Sequence, residues 1–350
     1  MRFVIVGAGA IGGVVGARLA QHGHDVILVA RGEHGAAIAE HGLLLRTPVD
    51  AVTVRVPVAA APADVAWQPG DVVLLAVKGH QTAVALGQLA GCAPNGVPIV
   101  CLQNGVDNER AALRLFPDVY AVPVLCPAGH LEPGVVEAYA FRTTGILDIG
   151  RYPTGSDEVA EQVSAAFATS GFVSVVRDDV MRWKWAKLVV NLTNALEAVF
   201  GQDAVPADLR RRARQEGFDC LRAAGIDAVS VEEDRARRGD LLEMSSIGDA
   251  PRPGGSSWQS LARATGTIET DYLTGEIVLL GRLHGVPTPV NELLQRLARQ
   301  AAEQRRPPGT VTVEDVAAAA GPTHLTRVTQ VVRADPDPRR RGTPRPVRPV

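Results

Sequence analysis

A glycine series at the start of the chain constrains its fold more than any other feature. Residues 3–6 form a short apolar run, and Gly7-Ala8-Gly9-Ala10-Ile11-Gly12 follows at once and opens a helical pattern. Strand, G-x-G-x-x-G and helix in that order predict a dinucleotide-binding βαβ unit. Gly7 permits the tight turn, Gly9 lets backbone N–H groups approach a pyrophosphate, and Gly12 lets helix and strand pack closely. The helix N-terminus adds N–H donors and positive potential for that anion. A glycine turn without a ligand is the alternative, and the clean apolar strand before it argues against that.

Further apolar runs at 26–29, 72–77, 99–102 and 119–124 alternate with helical segments. Continuous Val/Ile/Leu runs suit parallel strands covered on both faces. The expectation is an α/β, doubly wound Rossmann sheet built from right-handed βαβ units. A Pro133-Gly134 turn precedes runs at 135–139 and 145–149, which suggest added antiparallel strands. The second strand ends at Val29-Ala30-Arg31, where an NAD-preferring site places an acid for the ribose 2′-OH. Arg31 instead offers a cation to a 2′-phosphate, so NADP(H) is the expected cofactor and FAD is disfavoured. A plain surface arginine is the competing reading, with Glu33 nearby. Lys78 and Asn104 follow the third and fourth main strands, on the carboxyl edge where ligands bind. Lys78 suits a phosphate or carboxylate, and Asn104 a nicotinamide ribose or substrate.

Charge and composition exclude other classes. A net charge of -2 and 4% aromatic residues give no electrostatic or stacking case for nucleic acid, and none for a membrane surface. Cys92, Cys101, Cys126 and Cys220 form no metal or redox motif, which suits a reducing cytoplasm and no metal. The four-residue apolar run at the N-terminus is too short for a signal peptide, and no uninterrupted apolar stretch is long enough to span a membrane.

From about residue 182 the pattern turns helical, with predicted helices over 183–200, 208–224, 232–244, 270–284 and 291–305. The expected domains are 1–180 (NADP-binding), 181–325 (helical, for substrate and a possible homodimer contact) and a disordered Pro/Arg-rich tail over 326–350. A Pro/Gly/Ser loop over 248–257 interrupts the helices. Lys187, Asn191 and Asn194 fall at i, i+4 and i+7 on an otherwise apolar helix, so they share a face. Such a stripe is either helix-packing amides with a snorkelling lysine, or the wall of a polar substrate pocket. Hydride addition to a ketone requires a proton donor, and Lys187 fits that role, with Glu269 a candidate to hold and tune it although no spacing links the two. Ser257 carries a hydroxyl suited to a carboxylate or to capping the next helix.

Taken in order, these residues resemble the ketopantoate reductase (2-dehydropantoate 2-reductase) family over about residues 1–305. The matching segments are 7–13, Arg31, 77–81, Gln103-Asn104-Gly105, 187–191, Ser257, 269–275 and 284–289. The resemblance implies a 6-phosphogluconate-dehydrogenase-like architecture, with the active site between a Rossmann domain and an all-helical C-terminal domain. It implies Lys187 as proton donor, with Asn191 and Ser257 on the substrate and Asn104 and Glu269 near both nicotinamide and substrate. It also implies Arg31 and Lys78 on the adenine-nucleotide end and phosphates, and a backbone cofactor contact at Ala128. The activity implied is NADPH-dependent reduction of ketopantoate, a small 2-keto acid, in pantothenate biosynthesis.

The chain departs from the family pattern at the substrate helix. Asn191 and Asn194 are three residues apart rather than four, and no proline follows Asn194. Gln259-Ser260 replaces the usual Gln-Asp, and Thr274-Gly275 the usual Asn-Gly. Two other functions stay open at this point: a reductase of another small 2-keto acid, and a non-catalytic NADPH-binding sensor, against which the retained Lys187 and Glu269 argue.

Overall fold

The computed structural model describes residues 1–202, 204–248, 253–312 and 315–316. The expected tail over 326–350 and part of the loop over 248–257 lie outside the described residues. The first part runs β1 (Arg2–Val6), α1 (Ala10–Gln21), β2 (Asp25–Val29), α2 (Gly32–His41), β3 (Leu43–Arg46), β4 (Ala51–Val54), β5 (Val58–Ala59) and β6 (Asp71–Leu75). It continues through α3 (Thr82–Ala90), β7 (Ile99–Cys101), α4 (Asn108–Leu113), β8 (Val119–Ala121), β9 (Ala128–Gly129), β10 (Val135–Ala138), β11 (Gly150–Arg151) and α5 (Glu158–Thr169). The helical part holds α6 (Val180–Asn191), α7 (Thr193–Phe200), α8 (Ala207–Ala223), α9 (Val231–Arg238), α10 (Ser256–Ala262), α11 (Thr274–His284) and α12 (Pro289–Glu303).

The main sheet has the order β11-β8-β7-β6-β1-β2-β5, parallel from β5 to β8 with β11 antiparallel at the edge. The order reverses direction beside β1, so the carboxyl ends of β1 and β6 flank a crevice. Side chains of β1 and β6 alternate between two cores. Phe3, Ile5, Val72 and Leu74 pack with Val14, Val15 and Leu19 of α1. Val4, Val6, Val73 and Leu75 face the opposite layer, with Leu86 and Leu89 of α3. Burial on both faces is why these strands read as unbroken apolar runs.

A second sheet, β4-β3-β10-β9, covers the outer side of α1. The run read at 135–139 becomes its strand β10, antiparallel to β9 and parallel to β3, whereas β3, β4 and β9, only two to four residues long, were not anticipated. Contact there is close enough that a Cβ on Gly13 would lie 2.6 Å from Val136 Cγ1. Val106, which follows β7, joins Leu188, Val189 and Leu192 in one cluster, so the two parts share a core.

Several expectations change. The helix expected over 183–200 is two helices, α6 and α7, separated at Leu192. The helix expected over 232–244 ends at Arg238, where Gly239 turns to φ +47°. The run at 145–149 forms single bridges from Ile146 and Ile149 rather than a strand. Residues 270–284 begin with a 3₁₀ turn, Glu269–Tyr272, before α11. No helix among the described residues is long and apolar enough to cross a membrane.

Candidate active site

A cavity of about 1410 Å³ lies between the carboxyl edge of the main sheet and the helical part. Ligand pockets commonly span roughly 300–1,000 Å³, so this space suits a ligand larger than a single small molecule. Its floor is the glycine loop. Gly7 sits at φ +101°, a conformation open to glycine, and a Cβ there would meet Val77 at 2.9 Å. A Cβ on Gly12 would lie 2.0 Å from the Gly7 carbonyl oxygen, so only glycine lets α1 start this close to β1. Gly9, the N-cap of α1, is different: a Cβ there meets nothing within 4 Å. Gly7, Ala8, Gly9, Ala10 and Ile11 line the cavity; Gly12 lies behind them as a packing residue.

Arg31 lines the cavity just past β2, exposed at the N-cap of α2. His34, one turn into α2, has its Nε2 2.7 Å from the Ala8 carbonyl, while its Nδ1 accepts from the Gly134 N–H at 2.9 Å. That pair of contacts sets the Nε2–H tautomer and props the glycine loop. His130 packs against His34, with ring centroids 4.1 Å apart and the planes tilted by 48°. Burial lowers both imidazoles, His130 to about 4, so the pair is neutral near pH 7.

The opposite wall comes from α6 and α7. Lys187 Nζ donates to Asn191 Oδ1 at 3.1 Å, and Asn191 Nδ2 donates to Asn104 Oδ1 at 3.0 Å. Lys187, Asn191, Asn194 and Asn104 all line the cavity. The chain of amides therefore joins α6 to the loop after β7. Burial, and next the positive charge of Arg238, bring the Lys187 ammonium down to about 7.

Lys78 and Glu269 close the gap between the two parts. Lys78 Nζ donates to Ser260 Oγ, and Glu269 Oε1 accepts from the Gly79 N–H at 2.8 Å. Burial lowers the Lys78 ammonium, opposed by the nearby Glu269 carboxylate. The expectation that Glu269 holds Lys187 is not met: among the described residues no hydrogen bond or ion pair joins them. Glu269 belongs to the Lys78 side of the same cavity. Ala128 also lines it, on β9, with its carbonyl taken by Gln259 Nε2 at 3.0 Å.

Ser257 is displaced from its expected role. It is 1% exposed, sits inside α10 and is absent from the cavity wall; the N-cap is Gly255. Its neighbour Ser256 lines the cavity, with its Oγ buried and without a hydrogen-bond partner. One residue along a helix is a turn of about 100°, enough to exchange core for cleft.

The match to known proteins follows the same division. The profile for ketopantoate reductase PanE/ApbA matches residues 3–154, and the one for its C-terminal domain matches residues 179–302. The chain belongs to the ketopantoate reductase family. It is similar to the 2-dehydropantoate 2-reductase of Mycobacterium tuberculosis, 30% identical over 308 residues that cover 85% of this chain and 97% of that one. The Pyrococcus horikoshii 2-dehydropantoate 2-reductase is 29% identical over 308 residues, with the same coverage. The crystal structure of a PanE/ApbA family ketopantoate reductase from Ralstonia eutropha JMP134 superposes with a TM-score of 0.73 at 31% identity, covering 87% of this chain and 100% of that one. Membership makes the chain an oxidoreductase that uses a pyridine nucleotide.

Several site residues escaped sequence reasoning. Lys184 lies three residues before Lys187 and extends the polar stripe, a spacing that was available to read. Its Nζ pairs with Glu109 and donates to the Gln103 carbonyl at 3.1 Å, directly beneath Asn104 in sequence. Gln259 bridges the Ala128 and Gly254 carbonyls, tying β9 to α10. Arg238 lines the cavity from the end of α9.

Proposed function

We propose that this chain reduces 2-dehydropantoate to pantoate with NADPH, a step of pantothenate and coenzyme A synthesis. The observation that carries the reading is the Lys187–Asn191–Asn104 chain, set across one cavity from the glycine loop. The loop fits the phosphates of a dinucleotide: the N-terminus of α1 faces the cavity, and the space a Cβ of Gly9 would enter is open. Arg31 at the rim is the group that would favour a 2′-phosphate, with no acid at that position to hold a free ribose hydroxyl.

A bound nicotinamide would supply the hydride for the substrate carbonyl carbon. As that carbon accepts it, the carbonyl π pair moves to oxygen, and the Lys187 ammonium gives its proton to that oxygen. The N–H bond breaks and an O–H bond forms, leaving a neutral amine beside Asn191. Asn191 and Asn104 orient the ammonium, and Asn194 offers a polar group to the rest of the substrate.

A second reading, another branched or hydroxylated 2-keto acid, is favoured by one observation. The break at Leu192 puts Asn194 on α7 rather than on the helix that carries Lys187. The test is a panel of 2-keto acids with NADPH and NADH, followed at the nicotinamide absorbance. The expected result is the highest kcat/KM for ketopantoate with NADPH, eroded toward NADH by Arg31→Asp. A charged contact to the 2′-phosphate contributes about 1.5–3 kcal/mol to that preference. A different keto acid in first place moves the assignment to the second reading. Equal kcat/KM for both cofactors removes the role of Arg31. Tight NADPH binding without any turnover makes the protein a sensor.

A further inference from the structure

α9 is held against the first part of the chain by one arginine and presents the next one to the cavity. Arg237 Nε and Nη2 donate to Asp148 at 2.9 and 2.5 Å, and Arg177 reaches the same carboxylate at 2.6 Å. Asp148 is buried and doubly paired, so this anchor fixes where α9 ends. The segment after α9 is fixed too: Phe141 N–H donates to the Glu243 carbonyl at 3.1 Å and Ser245 N–H to the Tyr139 carbonyl at 2.9 Å.

Arg238, at the end of that anchored helix, is incompletely satisfied. The Asp234 carboxylate lies 2.8 Å from its Nε, yet neither Nε nor Nη2, both buried, has a hydrogen-bond partner. Arg210 and Arg214 on α8 also have a buried Nε without a partner. Burial and the charges of Arg210 and Arg238 lower the Arg214 guanidinium, so the three cations stand close together. Among the described residues, Asp234 is the one carboxylate ion-paired with any of them. Asp240 and Glu243, on the same cavity wall, are engaged by Arg142 at 3.5 and 2.9 Å. The Arg238 side chain as a whole is 25% exposed and lines the cavity, so an anion there can reach its charge.

Its position says which anion. Arg238 and Lys187 line the same cavity, and the charge of Arg238 helps to lower the Lys187 ammonium. Other cations of the cavity are elsewhere: Arg31 is at the rim, Lys78 is bound to Ser260, and Arg263 donates to the His130 carbonyl at 3.2 Å beside the paired histidines. In a 2-keto acid the carboxylate is bonded directly to the carbonyl carbon. A cation that grips it must therefore stand next to the proton donor. We propose that Arg238 is a substrate-binding residue that receives the carboxylate of the 2-keto acid and so turns its carbonyl oxygen toward Lys187. A charge-assisted contact to the guanidinium holds the carboxylate beside the proton donor. This inference rests on the 2-keto acid reading above and adds the group that makes the site select acids over neutral ketones.

The experiment compares the 2-keto acid with its methyl ester as substrates of the unmodified enzyme, Arg238→Gln and Arg238→Lys. Assays run about one pH unit below the Lys187 value of about 7, so that the ammonium is charged in every variant. The expected result for Arg238→Gln is a rise of about 10- to 100-fold in KM for the acid, the span of a charge-assisted contact, with a much smaller change for the ester. Arg238→Lys should recover part of the loss. NADPH affinity and the melting temperature check that the fold and the cofactor site persist. Calorimetric binding of the acid to the complex with oxidised cofactor, which cannot react, gives a readout without turnover. Unchanged acid binding in Arg238→Gln overturns the proposal, and so does an equal loss for acid and ester. The 2-keto acid reading itself fails on a separate result: no turnover of any acid by the unmodified enzyme. If that enzyme nevertheless binds the acid and loses it on Arg238→Gln, Arg238 stands as the anchor of a non-catalytic site.

Discussion

The Lys187 ammonium is held 3.1 Å from the Asn191 carbonyl oxygen, one turn further along α6, while the same amide donates across the cleft to Asn104 at 3.0 Å. Both ends of the Asn191 amide are thus engaged by protein groups. If Lys187 is the proton donor proposed above, Asn191 orients it rather than reading the substrate alone. Asn191→Ala should lower kcat more than it raises KM, and by a similar factor for hydroxylated and unsubstituted keto acids. Asn191→Asp places a carboxylate against the lysine, so the alkaline limb of the rate profile should move to higher pH. A pure KM effect confined to hydroxylated substrates would return Asn191 to the substrate.

The second prediction concerns pH. A general acid must carry its proton, so kcat/KM should fall as pH rises through about 7, the value set for Lys187 by burial and by Arg238. Lys187→Ala should lower kcat by about 10²–10⁴-fold while NADPH still binds, since the glycine loop is untouched. The same depression acts on folding. Between about 7 and the ordinary lysine value of 10.5, the folded chain holds fewer protons than the unfolded one, so stability should rise with pH across that window. Lys187→Met should remove this slope and raise stability below it. Thermal melts across the range, on both proteins, decide the point.

The glycines separate folding from binding. Gly12→Ala drives a Cβ to 2.0 Å from the Gly7 carbonyl and should destabilise the first part of the chain outright. Gly9→Val meets no protein atom near its Cβ and should leave the melting temperature nearly unchanged while abolishing NADPH binding. Calorimetry of folded Gly9→Val with undiminished affinity would remove the loop from the cofactor site.

Much of this was legible because the signals were local. β1, β2, β6 and β7 are buried on both faces and so read as unbroken apolar runs, and the glycine loop follows β1 directly. β3, β4 and β9 gave no such run, because half-exposed strands of two to four residues lack the length for a pattern. The break at Leu192 was invisible because Leu192 itself keeps helical angles. Pairings of high sequence separation, such as Glu269 with Gly79 and Lys184 with Glu109, carry no spacing signal at all. Ser256 and Ser257 are chemically identical, so only the phase of α10 distinguishes the one in the cleft from the one in the core.

The Lys184–Glu109 pair yields the last prediction. Both side chains are almost wholly buried, and Glu109 Oε2 has no hydrogen-bond partner. Burial pushes the Glu109 carboxyl up, against the pull of Lys184. Such a pair adds little net stability, because removing two charges from water costs about what their attraction returns. Removing one partner is different, since it leaves an uncompensated charge in the core at a cost of about 3–5 kcal/mol. Glu109→Leu and Lys184→Met should each be destabilised on that scale, and the double variant Lys184→Met/Glu109→Leu should recover most of the loss. Activity should follow a different order. Lys184 also holds the Gln103 carbonyl, one residue before Asn104, so the double variant should remain impaired in kcat after its stability returns. Denaturant melts on the four proteins give the coupling between the two sites, and steady-state kinetics on the folded double variant give the rest. Additive, small losses from the single substitutions would mean that water reaches the pair. Normal kcat in the double variant would mean that Asn191 alone suffices to place Asn104.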